Sequence, residues 1–91
     1  MTKYRKKPVV IETIQWRGPN HEEVKAFLGD DYVALTGERH PRGRSKIIVR
    51  TLEGTILADI GDWIIRGVAG EHYPCKPDIF DATYEQVEET S

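Results

Sequence analysis

One cysteine in 91 residues leaves no partner for an intramolecular disulfide, so nothing in the chain calls for an oxidising compartment. No apolar run approaches the roughly 20 residues of a membrane-spanning helix. The basic opening MTKYRKKPVV lacks the apolar stretch and small-residue cleavage site of a secretory signal. These absences point to a cytoplasmic protein that does not contact a membrane. Aromatic side chains are few, with two Trp, two Phe and four Tyr, so only a small core is on offer. A chain of this length buries about 60–65% of its unfolded surface. One domain is expected over residues 1–91, with a basic lead-in at 1–7 and an acidic tail at 85–91 that frays.

Net positive charge is also missing. The total is −2, which argues against general or sequence-specific nucleic-acid binding, since such binders are usually basic overall. The small total hides an asymmetry. Residues 1–50 hold 11 Lys/Arg against 6 Asp/Glu, and residues 51–91 hold 2 against 9. Either the two halves interleave and neutralise one another, or one face is basic and the other acidic.

What is present reads as short strands and one helix. Val9–Trp16 is rich in β-formers, with Pro8 at its threshold. Val10, Ile14 and Trp16 share one face, interrupted by Glu12. Gly18-Pro19 breaks the strand, and Asn20 with Glu23 three residues on has the form of a capping box. Val24, Phe27 and Leu28 then fall on one face of a helix over about 21–28, ended by Gly29. Strands follow at Tyr32–Thr36, Lys46–Thr51, Thr55–Ile60, Trp63–Arg66 and Glu71–Cys75. Pro77–Asp81 reads as a proline-initiated helical turn, and Thr83–Val87 as a last extended piece. The expectation is an α+β fold: a small curled antiparallel sheet or partly closed barrel of five to six strands, with the short helix against it. The expected core is Val10, Ile14, Trp16, Phe27, Ile48, Ile56, Ile64 and Phe80.

The densest pattern lies between Gly61 and Tyr84. It comprises Gly61, Asp62, Trp63, Ile64 and Ile65, then Gly70, Glu71, Tyr73, Pro74, Cys75, Lys76, Pro77, Asp78, Ile79 and Phe80, then Thr83 and Tyr84. This GDWII…GExYPCKPDIFxxTY signature resembles a family of small proteins encoded in tailed phages and prophages. The opening KYRKKPVVIETIQW is similar to that family's N-terminus. The resemblance covers both ends of the chain, implies a phage protein acting in the host cytoplasm, and says little about chemistry.

Catalysis by the residues themselves is weakly supported. Cys75 is the only thiol, and Lys76 beside it would favour the thiolate. His72, three residues upstream on a strand, points to the opposite face. The competing reading is a small buried hydrophobe. His21, His40, His72 and Cys75 show none of the paired spacings of zinc sites, and no cofactor is implied. Asp62 suits a turn in which it accepts backbone N–H groups. Glu71 reads as a ligand-facing acid or as the cross-strand partner of Arg66.

The ligand-binding candidates are Arg39, His40, Arg42 and Arg44 in a polar loop, Arg50 and Lys76 near it in charge, and Trp63 and Tyr73 as flat surfaces. Arginines separated by Gly and Pro suit phosphate recognition, and aromatic faces suit stacking on a base. The same loop also reads as a solvated hairpin connection. Three functions remain open. The first is a non-enzymatic phage accessory protein that binds a host component, for example to inhibit a defence or regulatory protein. The second is a sponge-like module that sequesters a phosphorylated nucleotide, for which a homo-oligomer would help, because so small a protomer offers little cavity. The third is a small enzyme using Cys75 or a carboxylate pair.

Overall fold

Consecutive strands here do not all pair with one another, and that decides the architecture. The computed structural model describes residues 1–4, 9–37 and 45–87. Pro8, the loop arginines 39, 42 and 44, His40 and the last acidic residues lie outside that range. In order, the elements are β1 (Glu12–Gln15), α1 (His21–Leu28), a 3₁₀ turn (Gly29–Asp31), β2 (Tyr32–Thr36), β3 (Lys46–Thr51), β4 (Gly54–Asp59), β5 (Trp63–Arg66), β6 (His72–Cys75) and α2 (Pro77–Thr83). They form two three-stranded antiparallel sheets, β1-β5-β6 and β2-β3-β4.

The α+β class, the antiparallel pairing and the helix at 21–28 agree with the sequence reading. The single curled sheet or partly closed barrel does not. Gly61, at φ 103°, takes the chain out of one sheet and into the other, a conformation that favours glycine. The Gly61 N–H donates to the Trp16 carbonyl (2.6 Å), and the Trp16 N–H donates to the Asp62 carbonyl (2.9 Å). β5 is therefore captured by β1 rather than by β4, and the ladder that closure requires is interrupted. The last extended piece expected over Thr83–Val87 loses Thr83 to the end of α2; Tyr84 is extended (φ −122°, ψ 153°), and no regular element follows among the described residues.

One core joins the two sheets and α1: Trp16, Val24, Leu28, Ile47, Val49, Ala58 and Ile64, with Ile14, Phe27, Tyr32, Leu35 and Ile60 packed around it. Four expected core residues fall elsewhere. Val10 is exposed, because β1 begins only at Glu12. In β3 the inward positions are Ile47 and Val49, so Ile48 points to the outer face with its partner Leu57; alternation puts successive residues on opposite faces. Ile56 is 40% exposed at the open end of β4. Phe80 packs on the other side of the first sheet, stacked on Trp63 at 4.3 Å between centroids.

The polar frame follows the same logic. Glu12, which interrupts an apolar face in the sequence, accepts from Arg66 Nη1 at 2.9 Å, so Arg66 pairs there rather than with Glu71. Lys46–Asp59 (3.1 Å), Lys76–Asp59 (2.7 Å) and Asp31–His72 (2.7 Å) also link one half of the chain to the other or strand to strand. Cross-links such as Glu12–Arg66 and Lys46–Asp59 make the halves interleave. Asn20 does not cap α1 through its side chain. Its Oδ1 accepts from the Arg17 N–H (2.9 Å) and its Nδ2 donates to the Gln15 carbonyl (2.7 Å), closing the turn that leaves β1.

Candidate binding cleft

The two sheets meet where β6 passes β3 and β4, and at the open end of that contact lies a cleft of about 320 Å³. Its apolar walls are Leu52 and Ile56. Glu53, Glu71, Thr51, His72 and Tyr73 complete the lining. Local sequence explains each placement. Thr51 and Gly54 face one another across the two-residue turn Leu52-Glu53, so the turn projects both side chains into solvent. Leu52 is 85% exposed, an unusual position for leucine.

Glu71 is set by the loop before β6. Its carbonyl accepts from the Gly67 N–H (2.7 Å), and its Oε2 accepts from the Ala69 N–H (3.1 Å). The space where a Cβ at Gly67 would sit is occupied by this carboxylate, so glycine is what allows the approach. His72 forms a fixed back wall. Its Nδ1 lies 2.7 Å from Asp31 Oδ2, and its Nε2 accepts from Arg66 Nε at 3.3 Å. Both ring nitrogens are spent on the fold, which leaves no free base at His72.

On the other face of the same sheet, Trp63, Tyr73 and Cys75 lie under α2 and Tyr84. Burial first, then the neighbouring Tyr84 hydroxyl, pushes the Tyr73 pKa up to about 12. The unfolded chain would hold tyrosine near its ordinary value of about 10. Raising the folded value makes this stabilisation complete below about pH 10 and lost as pH rises toward 12. Urea midpoints at about pH 9 and about pH 11.5 should therefore differ more for the wild type than for Tyr73→Phe; equal differences would contradict the account. Cys75 is half-buried, and its thiol pKa is raised by burial first and by Asp62 and Asp78 next. It should react with a maleimide at neutral pH several-fold more slowly than free cysteine, read by mass spectrometry against time.

The residues singled out from sequence do not converge. Arg39, His40, Arg42 and Arg44 lie outside the described residues. Arg50 donates to the Asp30 carbonyl at 3.1 Å. Trp63 is covered by Phe80. Lys76 reaches Asp59 at 2.7 Å and the buried Asp62 at 3.0 Å, so its charge is committed to the β4–β5 turn. There Lys76 first, and Lys46 second, hold the Asp59 carboxyl below its ordinary value. Asp62 acts as read, accepting the Asp59 N–H at 2.9 Å. Of the candidates among the described residues, only Tyr73 borders the cleft, and its hydroxyl is turned to Tyr84 on the opposite face. Leu52, Glu53 and Ile56 were not signalled by any motif; an apolar residue inside a tight two-residue turn is the one cue the sequence offered.

Chemically, the cleft's lining among the described residues combines the apolar Leu52 and Ile56 with the acidic Glu53 and Glu71 and holds no lysine or arginine. Such a site suits an aliphatic chain ending in a cation and repels a phosphate. No group of three His, Cys, Asp or Glu that could hold a metal occurs among the described residues, and no described helix is long and apolar enough to cross a membrane. The chain matches no protein-family model, no curated protein and no solved structure.

Proposed function

We propose that this chain is a non-enzymatic phage accessory protein that binds a host protein, and that the cleft beside the β3–β4 turn receives a lysine or arginine side chain of that partner. The observation that carries the reading is the cleft's composition: Leu52 and Ile56 exposed beside Glu53 and Glu71. An exposed leucine at the lip of an acidic hollow matches the anatomy of a protein contact, in which an apolar patch is rimmed by polar groups. Its volume fits one long side chain better than a whole nucleotide. The resemblance of the Gly61–Tyr84 signature to phage proteins supports the host setting.

A photo-crosslinking residue at Leu52, expressed in the host, tests this directly. One dominant protein adduct is expected, lost on Glu53→Lys and absent when the crosslinker sits instead at exposed Val68. Adducts that are the same at both positions, or insensitive to Glu53→Lys, would sink the proposal. Both residues are exposed, so neither change should shift thermal stability by more than about 0.5 kcal/mol.

A further inference from the structure

We propose that the outer edge of β4 pairs with the same strand of a second copy, joining two β2-β3-β4 sheets into one of six strands about a two-fold axis through Ile56. Four strands end the two sheets, and three of them carry a device that blunts further pairing. β6 contains Pro74. β2 has a register irregularity between Tyr32 and Ala34. β1 is four residues long, and its Gln15 carbonyl is taken by Asn20. β4 has none of these: it pairs with β3 at six successive positions without irregularity, and from Gly54 to Ala58 it carries neither charge nor proline.

The backbone fixes what that edge offers. Thr51 and Gly54 close a two-residue turn and so form a hydrogen-bonded pair; alternation makes Val49–Ile56 and Ile47–Ala58 hydrogen-bonded too. Thr55, Leu57 and Asp59 then turn their N–H and C=O outward. Asp59 bears this out, because its N–H donates to Asp62 Oδ2 and its carbonyl accepts the Asp62 N–H, each at 2.9 Å. Asp59 is thereby sealed. Among the described residues, the edge is left with the N–H and C=O of Thr55 and of Leu57, placed symmetrically about Ile56.

That symmetry selects a second copy as the occupant. A two-fold axis through Ile56 sets Thr55 opposite Leu57 of the other copy, and the reverse, and every unsealed outward group then gains a backbone hydrogen bond. Ile56, 40% exposed, meets its own mate, and Leu57, 48% exposed, is covered on its edge side. Apolar Ala34, Ile48 and Leu57 already form a row across the outer face, which the second sheet extends. The same register sets Glu53 of each copy opposite Asp59 of the other, where Lys46 and Lys76 already hold the Asp59 carboxylate and screen the two acids from one another. The pairing stands on strand geometry and holds whether or not the cleft receives a host side chain.

The test combines mass, register and exchange. Sedimentation of the full chain from ~10 µM to ~1 mM should show a monomer giving way to a dimer. Across that range the Thr55 and Leu57 amides should exchange with solvent at least ~10-fold more slowly as the dimer forms. In a Cys75→Ser background, Ile56→Cys should oxidise to a covalent dimer, because directly opposed residues of a non-hydrogen-bonded pair sit about 4.5 Å apart at Cα, within disulfide range. Leu57→Cys, offset from its mate, should crosslink at least ~10-fold more slowly. Thr55→Lys/Leu57→Lys should stay monomeric with an unchanged circular dichroism spectrum. A monomer at ~1 mM overturns the proposal, and so does a dimer whose Thr55 and Leu57 amides exchange at a concentration-independent rate. Should the double-lysine variant fail to fold, the two cysteine variants still decide the register.

Discussion

Trp16→Ala is expected to cost about 3–5 kcal/mol, the usual range for emptying a buried tryptophan site. Trp16 is 1% exposed and lies where β1, α1 and both sheets converge, so the cavity would border every layer at once. A chain of this size has a total stability of about 5–15 kcal/mol, and at the lower end the variant would be largely unfolded at room temperature. Trp16→Phe should cost much less, about 1–2 kcal/mol, since the ring position is kept and the buried indole N–H has no hydrogen-bond partner among the described residues to lose. Urea denaturation checks both, with Trp63 left as the fluorescent reporter. A Trp16→Ala protein as stable as Trp16→Phe would mean that the core closes around the gap.

The second large effect is expected at Arg66. Its guanidinium donates to the Phe27 carbonyl (2.8 Å), to His72 Nε2 (3.3 Å) and to Glu12 (2.9 Å), and it lies 4.3 Å over the Phe27 ring. Arg66→Ala would leave a carbonyl and a buried imidazole nitrogen unpaired and remove the stacking contact, for a loss of about 2–4 kcal/mol. Glu12→Ala removes only the exposed ion pair and should cost less than about 1 kcal/mol. Arg66→Ala with His72→Gln should be clearly non-additive, since both changes break one network. Equal losses at Glu12 and Arg66 would place the stabilisation in the surface pair and refute this account.

Much of the local structure was legible because it depends on neighbours in sequence. β2, β3 and β5 lie where alternation and turn residues put them, and α1 spans the apolar spacing of Val24, Phe27 and Leu28. Pro77 starts α2 as its fixed φ favours. Errors arose where a residue had two uses. Asn20 has the chemistry of a cap, but its side chain reaches back to Arg17 and Gln15 instead. β3 is apolar at three successive positions, Ile47, Ile48 and Val49, so pattern alone could not say which face was inward. Lys76 looked like a free cation because Asp59 and Asp62 are distant in sequence and become its partners only when β4, β5 and β6 assemble.

The cleft was illegible for a similar reason: its walls come from a turn after β3 and a strand some twenty residues later, and no spacing rule connects them. By itself, the sequence determined the class of fold, the antiparallel strands, both ends of α1 and the start of α2, since these follow from periodicity, turn chemistry and backbone freedom over a few residues. Only the tertiary structure decided that there are two sheets rather than one curled sheet, that His72 and Lys76 are tied into the frame, and that the outer edge of β4 is unpaired among the described residues. Those outcomes rest on contacts between segments far apart in the chain, such as Trp16 with Gly61 and Asp62, where the energy of burial and pairing overrides what any local pattern prefers.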